Sequence, residues 1–228
     1  MKNKLIKQVM LFVLSIIIFY GCNNTVNIND DNGETIHGSG KIVSQIRTVD
    51  ECSGLMIKNL GNVYLTQDDN QSIVIEADYN IIDQVITKKE NDMLVVGLKD
   101  GSYSNVTLKA YVSLKTIESL TINGAGNITT LNSLSCDNLY ITINGAGNIT
   151  VKGNGNYLNS LINGAGNITA KEFPVATCKA YVNGAGNCTI NVTDELDATV
   201  NGAGNIYYYG NPSTVRTSIS GVGRIIKK

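Results

Sequence analysis

Apolar residues in the second half of the chain fall at alternate positions on either side of a recurring polar block. The block Asn-Gly-Ala-Gly-Asn begins at Asn123, Asn144, Asn163, Asn183 and Asn201, and a degenerate copy runs from Ser220 to Arg224. The residue before each block is Ile122, Ile143, Ile162, Val182, Val200 or Ile219. The residue after it is Ile128, Ile149, Ile168, Cys188, Ile206 or Ile225. One step further out the chain is mostly polar, with Thr121, Thr142 and Thr199 before the blocks. Thr129, Thr150, Thr169 and Thr189 follow them, with Tyr207 in the fifth copy. Alternation with a period of two is the pattern of a strand with one buried face. A short strand is therefore expected on each side of every block, and no helix.

Successive blocks start 21, 19, 20, 18 and 19 residues apart. A unit of that length is too short for a propeller blade, and the leucine-rich repeat pattern is absent. It suits one turn of a β-solenoid, whose short strands stack in parallel about 4.8 Å above their copies. The Ile128, Ile149, Ile168, Cys188 and Ile206 column then becomes a ladder in a dry interior. The Gly-Ala-Gly centre becomes a corner where the backbone bends or approaches a neighbour closely, which glycine permits. Two asparagine columns flank that corner: Asn123, Asn144, Asn163, Asn183 and Asn201, then Asn127, Asn148, Asn167, Asn187 and Asn205. Stacked amides can hydrogen-bond along such a column, so both columns are assigned a structural role.

Upstream the repeat is weaker. Asn59-Leu60-Gly61-Asn62-Val63 reads as a relative of the block, and Gly38-Ser39-Gly40-Lys41-Ile42 as a further candidate. Ser72–Ala77 and Asp92–Leu98 read as strands, and residues 79–84 as a turn or a single helical turn. The first coils are expected from Ile36-His37 onward, giving about nine coils at about 20 residues each. Arg224, Lys227 and Lys228 place charge on the last coil, where a strand edge needs protection.

Composition adds two bounds. Apolar residues make up 43% and charged residues 16%, enough for one sizeable core beneath a thinly charged surface. A net charge of −1, from 18 basic and 19 acidic residues, gives no basic face, so no nucleic-acid partner is expected.

The amino terminus carries an export pattern. Lys2, Lys4 and Lys7 precede an apolar run from Val9 to Tyr20, which ends at Gly21-Cys22. This resembles a bacterial lipoprotein signal, although Phe19 stands where such signals usually carry leucine. The resemblance implies a signal peptide over 1–21, lipid attachment at Cys22 and a membrane partner held through it. An ordinary secretory signal is the alternative. Residues 22–35 then form a lipidated terminus and polar tether, and residues 36–228 the folded domain.

Candidate chemistry is sparse. From residue 120 onward the acids are Asp137, Glu172, Asp194, Glu195 and Asp197, and none recurs at a fixed place in the repeat. Asp194, Glu195 and Asp197 are the nearest thing to a catalytic cluster and read better as a solvated turn. His37, the only histidine, sits beside the tether and is expected to face solvent. Neither a triad nor a zinc site can be built around it. No metal or cofactor is expected. Cys52, Cys136, Cys178 and Cys188 are read as free thiols, with Cys178 and Cys188 the pair to check for a disulfide in an exported chain. Tyr207, Tyr208 and Tyr209 form the candidate partner surface, with Tyr207 and Tyr209 sharing one strand face.

Gly38-Ser39-Gly40, Gly61-Asn62-Val63-Tyr64-Leu65-Thr66-Gln67 and the Asn-Gly-Ala-Gly-Asn-Ile series together resemble the auto-transporter adhesin, head GIN domain family. The resemblance runs from about residue 36 to 228, nearly the whole expected mature domain. It implies an all-β fold, a right-handed single-stranded parallel β-helix. It implies less about function; the export pattern and the sparse chemistry favour a non-catalytic envelope protein that presents a binding surface to a glycan or protein ligand. Two other readings stay open: a periplasm-facing structural or accessory lipoprotein, and a polysaccharide-active enzyme. The expected location is the outer membrane or cell surface. Fold by itself does not decide among these.

Overall fold

A computed structural model describes residues 34–228. The expected signal peptide, Cys22 and nearly all of the tether lie outside the described residues. Thr35 to Lys228 form one compact unit. Its elements begin with β1 (Ile36–His37), β2 (Ile42–Arg47), β3 (Gly54–Gln67) and β4 (Ser72–Asp78). A single 3-10 turn (Ile82–Gln84) follows, then β5 (Val85–Glu90), β6 (Met93–Leu98), β7 (Tyr103–Ser104) and β8 (Leu108–Leu114). The repeat region contributes β9 (Ser119–Thr130), β10 (Leu134–Ile162), β11 (Asn167–Val182) and β12 (Asn187–Gly202). The chain closes with β13 (Asn205–Tyr209), β14 (Thr214–Gly221) and β15 (Arg224–Lys227).

From β9 onward every pairing is parallel and follows the repeat. Ile122 pairs with Ile143 and Asn127 with Asn148 across β9 and β10. Asn148, Asn167, Asn187, Asn205 and Arg224 then succeed one another in register through β15. The two apolar columns face inward. Ile122, Ile143, Ile162, Val182 and Val200 are fully buried, as are Ile128, Ile149, Ile168, Cys188 and Ile206. One continuous cluster of buried side chains runs from Cys52 to Ile206. Burying each such side chain stabilises the fold by about 1.5–3 kcal/mol.

Residues 36–118 depart from the expected run of parallel coils. Strand β3 lies beside β9 in parallel, with Gly54 opposite Ser119 and Leu65 opposite Thr130. On its other edge it pairs in parallel with β6 and β8. Residues 68–118 therefore pass to the far side of β3 and return before the repeat begins. There β2 runs antiparallel to β4, β4 antiparallel to β8, and β5 antiparallel to β6. For β5 and β6 the physical reason is connection length. The β5–β6 link is a tight turn at Asn91 and Asp92, with φ of 47° and 62°. Such a turn reverses the chain, whereas a parallel neighbour needs a crossover of a dozen or more residues.

The upstream relative of the block does stack with the others, one residue out of the expected frame. Lys58, Asn59, Leu60, Gly61 and Asn62 lie opposite Asn123, Gly124, Ala125, Gly126 and Asn127. The Gly38–Ile42 segment does not join that stack. The Gly40 N–H instead donates to Asp78 Oδ1 at 2.6 Å, and Thr107 N–H to Asp78 Oδ2 at 2.7 Å. That buried carboxylate ties the first strands to β4 and to the start of β8.

Candidate functional site

The asparagines form two hydrogen-bonded columns. In the first, Asn144 Nδ2 donates to Asn123 Oδ1 at 2.8 Å, Asn163 to Asn144 at 2.9 Å, Asn183 to Asn163 at 3.0 Å and Asn201 to Asn183 at 2.9 Å. The second starts one level earlier, where Asn127 donates to Asn62 at 2.7 Å. It continues through Asn148, Asn167, Asn187 and Asn205 at 2.8, 2.9, 3.1 and 3.0 Å. Each interior amide uses one donor downward and one acceptor upward. An amide offers two donors and two lone pairs, so most levels keep a donor and a lone pair for an outside partner; Asn167 Oδ1 spends its second lone pair on the Asn187 backbone N–H at 3.2 Å.

The corner between the columns explains its glycines. At Gly166, Gly186 and Gly204 an added Cβ would lie 2.4, 2.0 and 2.0 Å from the carbonyl oxygen of the glycine one level below. Gly124, Gly126 and Gly145 also take positive φ, at 136°, 155° and 150°. The alanine between each pair of glycines is exposed. Next to the second asparagine column an outward column runs through Tyr64, Thr129, Thr150, Thr169, Thr189 and Tyr207. Tyr64 stacks on Tyr111 at 5.2 Å. Side by side, the amides and hydroxyls make a neutral, regularly spaced hydrogen-bonding face bounded by aromatic rings.

The three consecutive tyrosines separate. Tyr208 packs against the core. Tyr207 lies under the Lys228 amine at 5.1 Å, and Tyr209 under that of Lys171 at 4.5 Å, contacts that attract through the ring quadrupole. A second aromatic group lies elsewhere, and sequence reading missed it. Tyr140, 47% exposed, and Tyr157 sit 6.1 Å apart with planes tilted by 59°. Outward positions four and six residues ahead of successive blocks are the signal that could have found them.

Glu51, Cys52, Asp69, Asp92 and Lys115 line an open recess, where burial, with Asp92 and Asp50, raises the Cys52 thiol against the opposing charge of Lys89. Glu195 pairs with Arg216, and the Asp194 carbonyl accepts from the Ser213 hydroxyl. A recess of about 430 Å³ is lined by Ser135, Cys136, Asp137, Asn154, Gly155 and Asn156. Burial, with help from Asp137 and Glu118, pushes its thiol up to about 11, so Cys136 is a poor nucleophile at neutral pH. Burial likewise pushes Cys188 up to about 11, against the opposing hydrogen bond of Ser160. Cys52, Cys136, Cys178 and Cys188 are all free thiols, without a bond between Cys178 and Cys188. His37 is exposed. Among the described residues no group of three or more His, Cys, Asp or Glu side chains could hold a metal ion.

The sequence profile of the family described as "Putative auto-transporter adhesin, head GIN domain" matches residues 53–212. A "putative adhesin" from Bacteroides fragilis has a similar solved structure, with a TM-score of 0.70 and 24% identity over 85% of this chain and 100% of that one. A "putative lipid binding protein" from Parabacteroides distasonis follows at 0.57 and 20%, covering 86% of this chain and 100% of its own. A "putative adhesin" from Parabacteroides merdae reaches 0.51 and 21%, over 85% and 99%. No curated protein matches the chain.

Proposed function

Since the chain belongs to the auto-transporter adhesin, head GIN domain family, we propose that it is a non-catalytic, exported adhesin-type module of the cell envelope. In this reading residues 1–21 are removed as a signal peptide and a lipid on Cys22 holds the chain in the outer membrane. Residues 22–35 are the tether, and residues 36–228 the binding domain. The observation that carries the reading is the neutral face of asparagine amides and threonine hydroxyls beside the Gly-Ala-Gly corner. Such a face suits a glycan or a polar protein surface, and a net charge of −1 does not favour nucleic acid. Register offsets of 18 to 21 residues along the asparagine columns support the finer fold reading. That reading is a right-handed single-stranded parallel β-helix whose regular coils of 18 to 21 residues occupy the repeat region, and the antiparallel group before β9 leaves fewer than the expected nine.

Protease shaving of intact cells tests the location. Loss of the folded domain or its tether from the cells, with a periplasmic control untouched, is the expected result. It would be followed by binding of the released domain to a panel of neutral glycans and matrix proteins. Complete protection until lysis would overturn the surface reading and favour a periplasm-facing accessory lipoprotein. Cleavage of a polysaccharide by the purified chain would favour the enzyme.

A further inference from the structure

The two ends of the sheet are finished differently. At one end the outermost strand is β2, which places Gln45 and Arg47 opposite the buried Ile75 and Ile73 of β4. Gln45 and Arg47 therefore head two of the interior columns there, beside Val43 over Ala77, while Ile42 and Ile46 on the other face of β2 are 45% and 67% exposed. At the other end β14 pairs only with β12, and β15 only with β13. Leu196 and Val200 of β12 are fully buried, yet their register partners Val215 and Ile219 on β14 are 42% and 51% exposed. Val222 at the last corner is 83% exposed. Aliphatic columns thus end in the open beside a row of unpaired backbone donors and acceptors, a template for another strand.

The pattern of β14 points to what covers it. Thr214-Val215-Arg216-Thr217-Ser218-Ile219-Ser220 has the same polarity read in either direction from Thr217. An aliphatic residue stands two places away on each side, with polar residues one and three places away. Antiparallel pairing of this strand with its own copy about a two-fold axis at Thr217 would set Val215 opposite Ile219 of the second copy, twice. A two-fold interface must be self-complementary in this way. The charges of the terminal level leave room for it. Arg216 pairs with Glu195, Lys227 Nζ donates to Asn211 Oδ1 at 2.9 Å, and Lys228 lies over Tyr207. Those three cations hold to residues earlier in the chain, and the fourth, Arg224, lies exposed on β15 opposite Asn205, outside β14.

We infer that the carboxy-terminal edge is a homophilic docking site, in which β14 pairs antiparallel with β14 of a second copy. The described chain begins in a two-stranded sheet of β1 and β7 and passes through Gly40, which binds Asp78 of β4, to edge strand β2 at the opposite end of the large sheet. The pairing therefore directs the two Thr35 ends away from each other, as two molecules anchored on facing membranes require. The inference rests on the adhesin reading for that setting, but the pairing itself can be tested without it.

Directly opposed residues in an antiparallel pair have Cα atoms about 4.5–5.5 Å apart, within disulfide reach. The full chain carrying Thr217→Cys is oxidised after extraction in mild detergent and separated without reductant. A covalent dimer is expected from this variant and not from the wild type or from Thr150→Cys on the lateral face. Adding Val215→Asp and Ile219→Asp, both at exposed positions, should cut the dimer at least tenfold while leaving the circular dichroism spectrum unchanged. No dimer from Thr217→Cys, equal dimer from Thr150→Cys, or an adduct with a different protein overturns the inference. A dimer from a chain that protease cannot reach on intact cells supports the pairing and sinks only the surface reading. A shaved chain without a dimer sinks only the pairing.

Discussion

An asparagine in a stack of equal levels meets a copy of itself above and below, and its amide is both donor and acceptor. An aspartate column could not propagate in this way, because an ionised carboxylate has no donor, and a serine column would spend its single donor on the level below and keep none for an outside partner. Asn148 sits in the middle of the second column, donating to Asn127 and accepting from Asn167. Asn148→Ala removes both bonds at an exposed level, and the unfolding free energy should fall by about 1–2 kcal/mol in chemical denaturation. The neighbouring glycines answer a different demand. From Gly164 to Gly204 it is the closeness of the carbonyl below, and not positive φ, that excludes a side chain.

Among the elements, β3 has the most demanding position, because it carries the repeat on one edge and the antiparallel group on the other. Gln67 at its end fastens the neighbouring loops. Its Nε2 donates to the Lys115 and Ser135 carbonyls, and its Oε1 accepts from Ser135 N–H at 2.7 Å. The conformation at the corner of β3 is met by Asn59, with φ of 65°, a residue type that tolerates the left-handed region. Asp78 does the corresponding work for β4, holding the amides of Gly40 and Thr107. Asp78→Ala leaves those two N–H groups without their acceptor. The unfolding free energy should drop by about 2–4 kcal/mol, with hydrogen exchange rising first at Gly40 and Thr107. An unchanged exchange rate at those amides would remove Asp78 from this role.

Across the whole described domain, each level of the repeat touches chiefly the levels next to it, so the consequence of a substitution depends on distance from an end. Ile149 is enclosed by Ile128 below and Ile168 above, whereas Ile225 in the same column pairs, among the described residues, with Ile206 on one side only. Ile149→Ala should destabilise the protein by about 3 kcal/mol, in the range for emptying a packed core site. Ile225→Ala should cost less than about 1 kcal/mol, and equal effects in parallel denaturation curves would contradict a stack built from nearest neighbours. The same geometry leaves Val215 and Ile219 of β14 exposed, whereas Ile225 of β15 still packs against the core.

How much of this was legible in advance depends on whether the information repeats. The columns of Ile128, Asn127 and Asn123 could be read from the chain because each level imposes the same demands on the same position, so the residue choice recurs with the period. Inward and outward faces followed from alternation alone. The antiparallel group around β4 has no such echo, since its strands pair once and with different partners. The turn signal at Asn91 and Asp92 was present but carried no periodicity to draw attention to it. The passage of β3 between β9 and β8 could not be read at all, because which strand lies beside which is settled by long-range packing, not by local pattern. The separation of Tyr207, Tyr208 and Tyr209 was half legible. Alternation sent Tyr208 to the other face, but only the fold brought Lys171 and Lys228 over its two neighbours. The sequence by itself therefore determined the repeat, its register and its buried columns. The tertiary structure alone decided the order of the first strands and which end was left open, because those depend on contacts between residues far apart in the chain.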